Sequence, residues 1–458
     1  MNVSIGQTMR SKLDNETFQQ YKARVLDTKS ASFCGAKWYN ATIWLGSGQT
    51  TSCHHPLPHQ VSVEQVLANP AALHNTLEKK QQRAQMQRGE RPSGCEYCWR
   101  IEDTGSDAIS DRPYKSMIYS EEELQFAFNL PPNQDVNLRT LEIAFDRTCN
   151  FACSYCNPAF SSTWVRDIKT NGSYSGLVSD GRNHFTHTHD SSQLYGYTDT
   201  NPYVEAFFKW WESDLHSTLR ELRITGGEPL MSGHTWKLLD WFKENVGKSQ
   251  TKLAINSNLG MSSEKLNEFI DKVKDIKDLE IYTSCESFGQ QAEYIRDGLD
   301  YKQWVDNLLT LQSTGIKMHV MATINGLCLP NLPKFLDHLM DIKVGRGRDA
   351  VTVTLNILRF PSFQSPTVMP DYIKKECVDK LNAFLEKYSD GYYLHQMEIE
   401  HIRRLIEYLN SVESPHAGAS PLEVLRKDFK TFYEQYDQRR NKNFRKTFPE
   451  LVEWYDKI

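Results

Sequence analysis

Two hydrophobic patterns alternate along the middle of the chain. Short β-branched runs predict strands, and the longer runs between them repeat apolar residues every three or four positions, as amphipathic helices do. The predicted strands are Leu141–Phe145, Leu222–Thr225, Lys252–Asn256, Leu279–Ser284, Lys317–Thr323 and Val351–Leu355. The clearest predicted helices are His234–Val246, Ser262–Val273, Tyr301–Gln312 and Leu332–Ile342. Repeated strand-then-helix order predicts a parallel sheet with right-handed crossovers.

Six such units predict an α/β fold, a partial (β/α)6 TIM-like barrel over residues 137–360. Functional residues of such a barrel lie just after the strand ends. An insertion at about 161–218 separates the first two strands. A connection of this length inside a compact domain is either functional or disordered.

The two ends of the chain have different patterns. Residues 1–115 are polar and turn-rich, with one helical stretch at Val63–Arg88, so we expect a cysteine-rich module stapled by metal rather than by apolar burial. Residues 361–458 predict a helical region through Asp371–Lys387, Met397–Asn410 and Leu422–Arg439. The basic run Arg439–Lys446 is interpreted as a solvated tail.

The length, charge and composition of the chain argue against several classes of function. The chain has 458 residues, a length that favours two or three domains. Its 53 Lys and Arg residues against 58 Asp and Glu give a net charge of -5, so no broad basic surface is available and a nucleic-acid partner is not expected. No apolar run is long enough to cross a bilayer and the start lacks a signal-peptide core, which predicts a cytoplasmic protein without a membrane partner.

Seven of the ten cysteines fall in two groups, each ending in a Cys-x-x-Cys pair. In a reducing cytosol, clustered cysteines are metal ligands or catalytic thiols. Cys149, Cys153 and Cys156 form a C-x3-C-x2-C loop directly after the first predicted strand. Three thiolates can hold three corners of a cubane cluster and leave one iron open. The alternative is zinc with a fourth ligand from elsewhere.

A second motif, Gly226-Gly227-Glu228-Pro229, follows the second predicted strand. Paired glycines permit close backbone approach to a ligand, and a carboxylate can accept a hydrogen bond from an ammonium group. Alone, this motif is typical of an ordinary turn.

Together the two motifs resemble the radical S-adenosylmethionine (SAM) superfamily over roughly residues 137–361. The resemblance implies that Cys149, Cys153 and Cys156 hold a [4Fe-4S] cluster, with Tyr155 at the aromatic position of the loop. It also implies that Gly226, Gly227 and Glu228 engage the SAM amino group. The implied chemistry is reductive cleavage of SAM to a 5'-deoxyadenosyl radical that abstracts a hydrogen from substrate, with electrons from an external flavodoxin or ferredoxin.

Five further residues are candidates for SAM contacts: Asn258, Ser284, Glu286, Arg296 and Asn325. The resemblance implies the first four, and Asn325 is a candidate because it ends the fifth predicted strand. Glu286 stands where many relatives carry Asp. Arg296 lies in a stretch similar to one in peptide-modifying relatives whose Arg reaches the SAM carboxylate, and its alternative is a surface helix charge. The alternative for Asn325 is a turn residue in Asn-Gly.

The second cysteine group is Cys34, Cys53, Cys95 and Cys98. Its surroundings resemble the auxiliary-cluster modules called SPASM or twitch, which implies an auxiliary Fe-S cluster. Such modules usually follow the barrel, whereas this one precedes it, and four cysteines suit the shorter twitch form. Zinc is the alternative, with His54 or His55 as possible substitute ligands.

The leading functional hypothesis is a radical SAM oxidoreductase that modifies side chains of a peptide, as in ribosomally made natural products. One alternative is modification of a small metabolite or nucleotide-derived substrate. Another, from a different class, is a zinc-bound noncatalytic interaction protein. No residue is assigned as catalytic acid, base or hydrogen-atom donor; Cys285 and Cys328, near strand ends, are interpreted as buried thiols.

Overall fold

The computed structural model describes residues 10–105 and 107–458. The fold is mixed α/β with a large, mostly parallel sheet. The strands are β1 (Asn40–Trp44), β2 (Gln49–Thr51), β3 (His59–Gln60), β4 (Thr140–Ala144), β5 (Ala152–Cys153), β6 (Glu221–Thr225), β7 (Lys252–Ser257), β8 (Leu279–Ser284), β9 (Arg296–Asp297), β10 (Lys317–Ile324) and β11 (Thr352–Ile357).

Helices connect and flank these strands. They are α1 (Phe18–Tyr21), α2 (Ala36–Tyr39), α3 (Val63–Ala68), α4 (Leu77–Gln87), α5 (Glu96–Glu102), α6 (Asp111–Ser116), α7 (Glu121–Asn129), α8 (Ser162–Asn171), α9 (Pro202–Trp210), α10 (His216–Thr218), α11 (Gly233–Glu244), α12 (Ser263–Val273), α13 (Gln290–Ile295), α14 (Tyr301–Ser313), α15 (Leu332–Lys343), α16 (Asp371–Tyr388), α17 (Gln396–Ser411), α18 (Leu422–Arg440), α19 (Phe444–Thr447) and α20 (Val452–Lys457). Within the described residues, no helix combines the length and the apolar character that a membrane crossing requires.

The periodic middle of the chain folds as the sequence predicts. The six predicted strands are present as β4, β6, β7, β8, β10 and β11, and the four predicted helices as α11, α12, α14 and α15. The predicted C-terminal helices are present as α16, α17 and α18. The single helix predicted at Val63–Arg88 is wrong. Asn69 ends α3 and its side chain accepts a hydrogen bond from the Ala71 N–H, and Pro70, which has no N–H, begins a 3-10 turn before α4.

The chain divides into two compact units. The first comprises the described part of Met1–Asp146 together with Leu194–Ile224 and Asn245–Leu253. In its part of the sheet the strands run in the order β6-β4-β1-β2-β3. β1 lies parallel to β4 with Ile43 opposite Ile143, and β2 returns antiparallel to β1.

This first unit has a hydrophobic core of its own, contrary to the expectation of a module with little apolar burial. Its members are largely aromatic and sit on segments that are polar in overall composition; the buried set includes Tyr21, Phe33, Trp38, Tyr39, Met86, Trp99, Tyr119 and Leu124. Cys98 belongs to the same core, and Cys34 and Cys95 pack against it. Apolar packing and the cysteine site therefore share one environment.

The second unit comprises Arg147–Gln193, Thr225–Glu244 and Ala254–Ile458. Its strands run in the order β11-β10-β8-β7, and β10 pairs parallel with both β8 and β11. Parallel neighbours bring their carboxyl ends to one edge, so the residues that follow these strands lie on the same side of the sheet. A separate two-stranded ribbon joins β5 to β9, with Cys153 opposite Arg296.

The interpretation of Arg439–Lys446 as a solvated tail is wrong for its first members. Arg440 lies over the Trp164 ring at 4.4 Å, and its guanidinium is 3.3 Å from the Asp297 carboxylate. Lys442 pairs with the same carboxylate at 3.0 Å. Asp297 belongs to β9, so the end of α18 holds the ribbon that carries Cys153. Part of the long insertion is also packed, because Phe185 is fully buried against Trp164.

Candidate metal and cofactor sites

The loop that carries Cys149, Cys153 and Cys156, called here the three-cysteine loop, is fixed at both ends by hydrogen bonds. The Cys149 N–H donates to Ser162 Oγ at 3.0 Å, and Thr163 Oγ1 donates to the Cys149 carbonyl at 2.6 Å. At the other end, the Cys156 N–H donates to the Cys153 carbonyl at 2.9 Å. These hydrogen bonds within the protein therefore fix the backbone conformation of the loop.

Burial raises the pKa of all three thiols of this loop. It raises the pKa of Cys149 to about 12, with the neighbouring Cys153 thiol adding to the effect. The pKa of Cys156 is raised further, by burial first and then by Cys153 and Cys149 together. The three thiols thus lie close enough to disfavour one another's ionisation. A metal centre that takes up thiolates would remove this penalty and release protons on binding.

Glu228 is 4% exposed, and its carboxylate accepts three hydrogen bonds. The donors are the Leu230 N–H at 3.1 Å, Ser257 Oγ at 2.8 Å and the Asn258 N–H at 2.6 Å. Burial nevertheless dominates and raises the pKa of Glu228 to about 7. The carboxylate is thus oriented by its own turn and by the end of β7, while its charge is only marginally favoured.

Each of the two positions before Glu228 requires glycine for a different structural reason. Gly226 has a φ of 126°, a conformation that side chains rarely adopt. A Cβ on Gly227 would lie 2.3 Å from the Thr148 carbonyl oxygen, which itself accepts a hydrogen bond from the Glu228 N–H at 2.6 Å. The close approach that this glycine permits is therefore to the backbone just before Cys149, and the Gly-Gly-Glu turn is seated on the three-cysteine loop.

Asn258 connects the end of β7 to the same loop. Its side-chain Nδ2 donates to Asn150 Oδ1 at 2.8 Å, and its Oδ1 accepts from the Gly260 N–H at 2.8 Å. In this conformation its amide is used for positioning. Ser257 and Asn150 are neighbours of the site that the sequence does not single out, although Ser257 precedes Asn258 and Asn150 lies between two of the cysteines.

Glu286, Arg296 and Tyr155 form one buried group. Arg296 donates from Nε and Nη2 to the Glu286 carboxylate at 3.0 and 2.7 Å, and the Tyr155 hydroxyl donates to the same carboxylate at 3.1 Å. Arg296 Nη1 also lies 3.6 Å from Cys153 Sγ. Burial lowers the pKa of Arg296, but Glu286, followed by Tyr155, Cys153 and Cys285, together more than offset this and raise that pKa above its ordinary value. The surface-charge alternative for Arg296 is wrong, since it is 5% exposed.

Ser284 and Asn325, the remaining candidates of this unit, make no direct hydrogen bond to that group among those of the described residues, although Asn325 bonds to Thr323, a neighbour of Tyr155 and Glu286. Ser284 is the last residue of β8 and is half-buried opposite Met321. Asn325 is fully buried and uses its side chain within its own turn, accepting from the Cys328 N–H at 3.2 Å and donating to the Thr323 carbonyl at 3.0 Å. Cys285 and Cys328 are both fully buried, as the sequence predicts for core thiols.

In the first unit, Cys34, Cys53, Cys95 and Cys98 line a single cavity, called here the four-cysteine cavity. They come from four separate segments: the turn before α2, the turn after β2, a 3-10 turn at Ser93–Cys95, and α5. Burial raises the pKa of Cys34 to about 11, with Cys53 and Cys95 adding to the effect. This mutual effect again indicates thiols gathered around one space.

The spacing of these sulfurs bears on which metal centre they would hold. Among the described residues, three potential ligand atoms lie within 4.8 Å of one another only at His54, His55 and Asp111. A tetrahedral zinc–thiolate site with bonds of about 2.3 Å holds its sulfurs about 3.8 Å apart. No three of the four sulfurs therefore lie within 4.8 Å of one another, whereas a zinc ion would hold all four within that distance.

His54 and His55 are directed to a carboxylate rather than to the sulfurs. Asp111 Oδ2 is 2.8 Å from His55 Nε2 and 3.5 Å from His54 Nε2. The His55 ring also stacks on Tyr97, with the ring centroids 3.7 Å apart. As substitute ligands for a thiol, both imidazoles would first have to leave Asp111.

No protein-family model matches the chain, and the comparison with curated proteins found no match. Among solved structures, the chain is similar to Streptococcus suis SuiB bound to S-adenosylmethionine, with 12% identity and a TM-score of 0.32 over 64% of this chain and 60% of that one. A structure of SuiB itself matches with 11% identity and a TM-score of 0.33 over 69% and 63%. SuiB bound to the precursor peptide SuiA matches with 11% identity and a TM-score of 0.35 over 65% and 60%. The chain thus spans less than two thirds of the SuiB chain.

Proposed function

We propose that this chain is a radical SAM enzyme whose three-cysteine loop holds a [4Fe-4S] cluster with one iron open to SAM. The observation that carries the proposal is the seating of the Gly-Gly-Glu turn on that loop. Gly227 lies against the Thr148 carbonyl, and the Glu228 N–H donates to the same oxygen. The two motifs are distant in the chain but form one local structure in the fold.

The residues present fit such a cluster. Three thiols share one backbone-fixed loop, and their pKa values are raised by burial, with neighbouring thiols adding to the effect at Cys149 and Cys156. The loop thereby offers three thiol ligands to a four-iron centre. When bound and reduced, that cluster supplies the electron that cleaves SAM to methionine and a 5'-deoxyadenosyl radical.

The chain's own residues would bind and orient SAM around this loop. Glu228, held by three donors, is placed to accept from the SAM amino group, and Asn258 fixes the adjoining turn. Arg296 is charged and buried beside Cys153, where its guanidinium would serve the SAM carboxylate only by sharing or leaving its bonds to Glu286. Ser284 is proposed as a contact on the resemblance alone, and Asn325 on its position at the end of a strand alone.

The proposal extends to the four-cysteine cavity, which we assign to an auxiliary Fe-S cluster of the twitch type. The wide spacing of its sulfurs supports a cluster over a single zinc ion. The partial (β/α)6 barrel that the six strand–helix units predict is part of the same proposal.

For the substrate we propose a peptide whose side chain is modified, with a flavodoxin or ferredoxin as electron donor. The support is the resemblance of the stretch around Arg296 to peptide-modifying relatives, together with the auxiliary site. Modification of a small metabolite or nucleotide-derived compound is the competing outcome.

The test is anaerobic reconstitution with iron and sulfide, followed by reduction in the presence of SAM and detection of 5'-deoxyadenosine by mass spectrometry. The proposal predicts a brown protein with about seven to eight irons per chain, since two cubane clusters are expected, and 5'-deoxyadenosine release. A colourless protein that holds zinc and releases none would instead support the noncatalytic interaction protein.

A further inference from the structure

Three positively charged side chains are buried in the first unit. Lys37 is 4% exposed, and Lys79 and Arg83 are each 1% exposed. Their hydrogen bonds go to neutral groups: Lys37 Nζ donates to Gln82 Oε1 at 2.6 Å, Lys79 Nζ to Thr50 Oγ1 at 2.8 Å, and Arg83 Nη1 to Asn75 Oδ1 at 2.9 Å. Within the part of the chain that the structure describes, none of the three forms an ion pair with a carboxylate. We call them the buried cation group.

Such an arrangement is costly without a paired counter-charge, because a buried ion loses its hydration and a carboxylate outside direct contact returns only part of that loss. Glu78 acts on Lys79 and Asp135 on Arg83 in this way, and neither outweighs the effect of burial. Burial, and then the nearby Arg83 and Lys37, lowers the pKa of Lys79 well below its ordinary value. Burial likewise lowers the pKa of Arg83 to about 10. The neighbouring His74 is also fully buried, with Nδ1 3.3 Å from Lys79 Nζ, and adds no negative charge.

The four-cysteine cavity can supply the missing anion. Lys37 lines this cavity with the four thiols, and Asp111, Arg112 and Lys115 line it as well. Arg112 is already paired with Glu102 at 2.7 Å, so Lys37 and Lys115 are the lining cations that the centre itself would balance.

Lys79 reaches the segment that carries Cys53, since its Nζ donates to the Thr51 carbonyl at 3.2 Å, two residues before that cysteine. The Cys53 thiolate accordingly raises the pKa of Lys79, as a smaller effect beside burial. Four thiolates outweigh the positive charge of a zinc ion or of a cubane core, so the occupied centre is an anion in either case.

We propose that Lys37 and Lys79 are counter-cations of the four-cysteine centre and that they raise its reduction potential. The potential part rests on the proposed function, because it requires the centre to be an Fe-S cluster. Reduction adds negative charge to the cluster, and nearby cations stabilise the reduced form more than the oxidised one. The centre is thereby suited to accept an electron.

The test uses the full chain with Cys149→Ala, Cys153→Ala and Cys156→Ala, so that only the auxiliary cluster is present. Lys79→Met removes one buried charge, and Lys80→Met is its matched control, since Lys80 is the next residue of α4 and pairs with Asp135. In a redox titration followed by electron paramagnetic resonance, Lys79→Met lowers the midpoint potential and Lys80→Met leaves it unchanged. Equal potentials in the parent and Lys79→Met would overturn the proposal.

A second measurement separates this inference from the proposed function. Metal loading raises the Tm of the parent protein more than that of Lys79→Met, and the metal-stripped Lys79→Met protein melts higher than its parent. Lys79→Gln, which keeps a hydrogen-bond donor for Thr50, changes both the Tm gain and the Tm of the metal-stripped protein in the same directions as Lys79→Met. An equal gain on loading in parent and variants would overturn the counter-cation role. Zinc in place of iron would refute the cluster and the potential shift, while the difference in Tm gain would still hold.

Discussion

Carboxylates outnumber cations among the charged groups that act on the three-cysteine loop, whereas cations outnumber carboxylates in the lining of the four-cysteine cavity. Glu228 disfavours ionisation of Cys149, and Glu286 does the same to Cys153, with Arg296 as the counter-charge. The cavity is instead lined by Lys37, Arg112 and Lys115, with Asp111 as an acidic neighbour. Negative surroundings lower a cluster's potential and positive surroundings raise it. On the proposed function, the difference therefore makes the loop the stronger reductant and the cavity an electron acceptor.

The two sites also differ in how they are built. The loop takes its three thiols from eight consecutive residues, so its ligands are close before the chain folds. The cavity collects four thiols from segments that span Cys34 to Cys98 and shares its surroundings with a hydrophobic core. Removing a ligand should therefore disturb the fold more at the cavity than at the loop.

The largest expected effect comes from removing each set of cysteines. Replacing Cys149, Cys153 and Cys156 by Ala abolishes 5'-deoxyadenosine release, whereas Cys95→Ala with Cys98→Ala leaves SAM cleavage intact. Each change roughly halves the bound iron, because each removes one of two cubane clusters.

Iron analysis and mass spectrometry check both results. The control is Cys377→Ala, which replaces a buried thiol of α16 that belongs to neither group and leaves iron and SAM cleavage unchanged. SAM cleavage that survives the triple replacement would contradict the assignment.

The second-largest expected effect is the loss of stability when the buried ion pair of Arg296 and Glu286, beside the three-cysteine loop, is broken. Arg296→Met leaves the Glu286 carboxylate without its cation and lowers the free energy of unfolding by roughly 3–5 kcal/mol, as breaking a buried ion pair does. Adding Glu286→Gln to that variant restores part of the loss. Urea unfolding measures both. A loss below about 1 kcal/mol, the value of a surface pair, would show that the pair is not buried in solution.

A smaller effect concerns the pH dependence of stability. The pKa of Glu228 is raised to about 7 in the folded protein from 4.5, so its contribution to stability is present below pH 4.5 and is lost as the pH rises to about 7. We expect the SAM-free protein to lose roughly 3 kcal/mol over this range through Glu228, at about 1.4 kcal/mol per pKa unit. Glu228→Gln removes this loss. Urea unfolding at both ends of the range measures it, and an equal change in the parent and Glu228→Gln would contradict it.

The smallest effect is that of one hydroxyl. Tyr155→Phe removes the hydrogen bond to Glu286 and lowers the free energy of unfolding by about 1 kcal/mol. Tyr392→Phe, at a residue 70% exposed, is the control and leaves it unchanged. Equal values for the two variants in urea unfolding would place the Tyr155 hydroxyl outside the buried group.

Much of this fold can be predicted from the sequence because its signals are local. The strands β4, β6, β7, β8, β10 and β11 are indicated by β-branched runs, and the cysteine and Gly-Gly-Glu motifs by short spacing. The sequence does not predict β1, because its partner β4 lies far away in the chain and no local pattern links Ile43 to Ile143. Distance in the chain also hides the core of the first unit, whose aromatics are scattered among polar residues.

The site residues divide in the same way, into those that a local motif indicates and those that only the folded chain brings together. Cys149, Cys153, Cys156 and Glu228 can be named from motifs, but the bond between Glu286 and Arg296 forms only in the folded chain. A Lys on a polar helix is expected to be exposed to solvent, but Lys79 is buried beside Thr50. Arg440 is a similar case, since its aromatic partner Trp164 lies far away in the chain. Burial of a charge is a property of the folded chain.

The central claim is that the loop, and not the cavity, holds the centre that binds SAM. SAM is added to two reduced proteins under electron paramagnetic resonance, one lacking Cys95 and Cys98 and the other lacking the three cysteines of the loop. We predict that SAM changes the spectrum of the first protein, whose cluster has an open iron, and leaves the second unchanged, because four thiolates close its cluster. A spectrum that responds to SAM only in the second protein would contradict the claim.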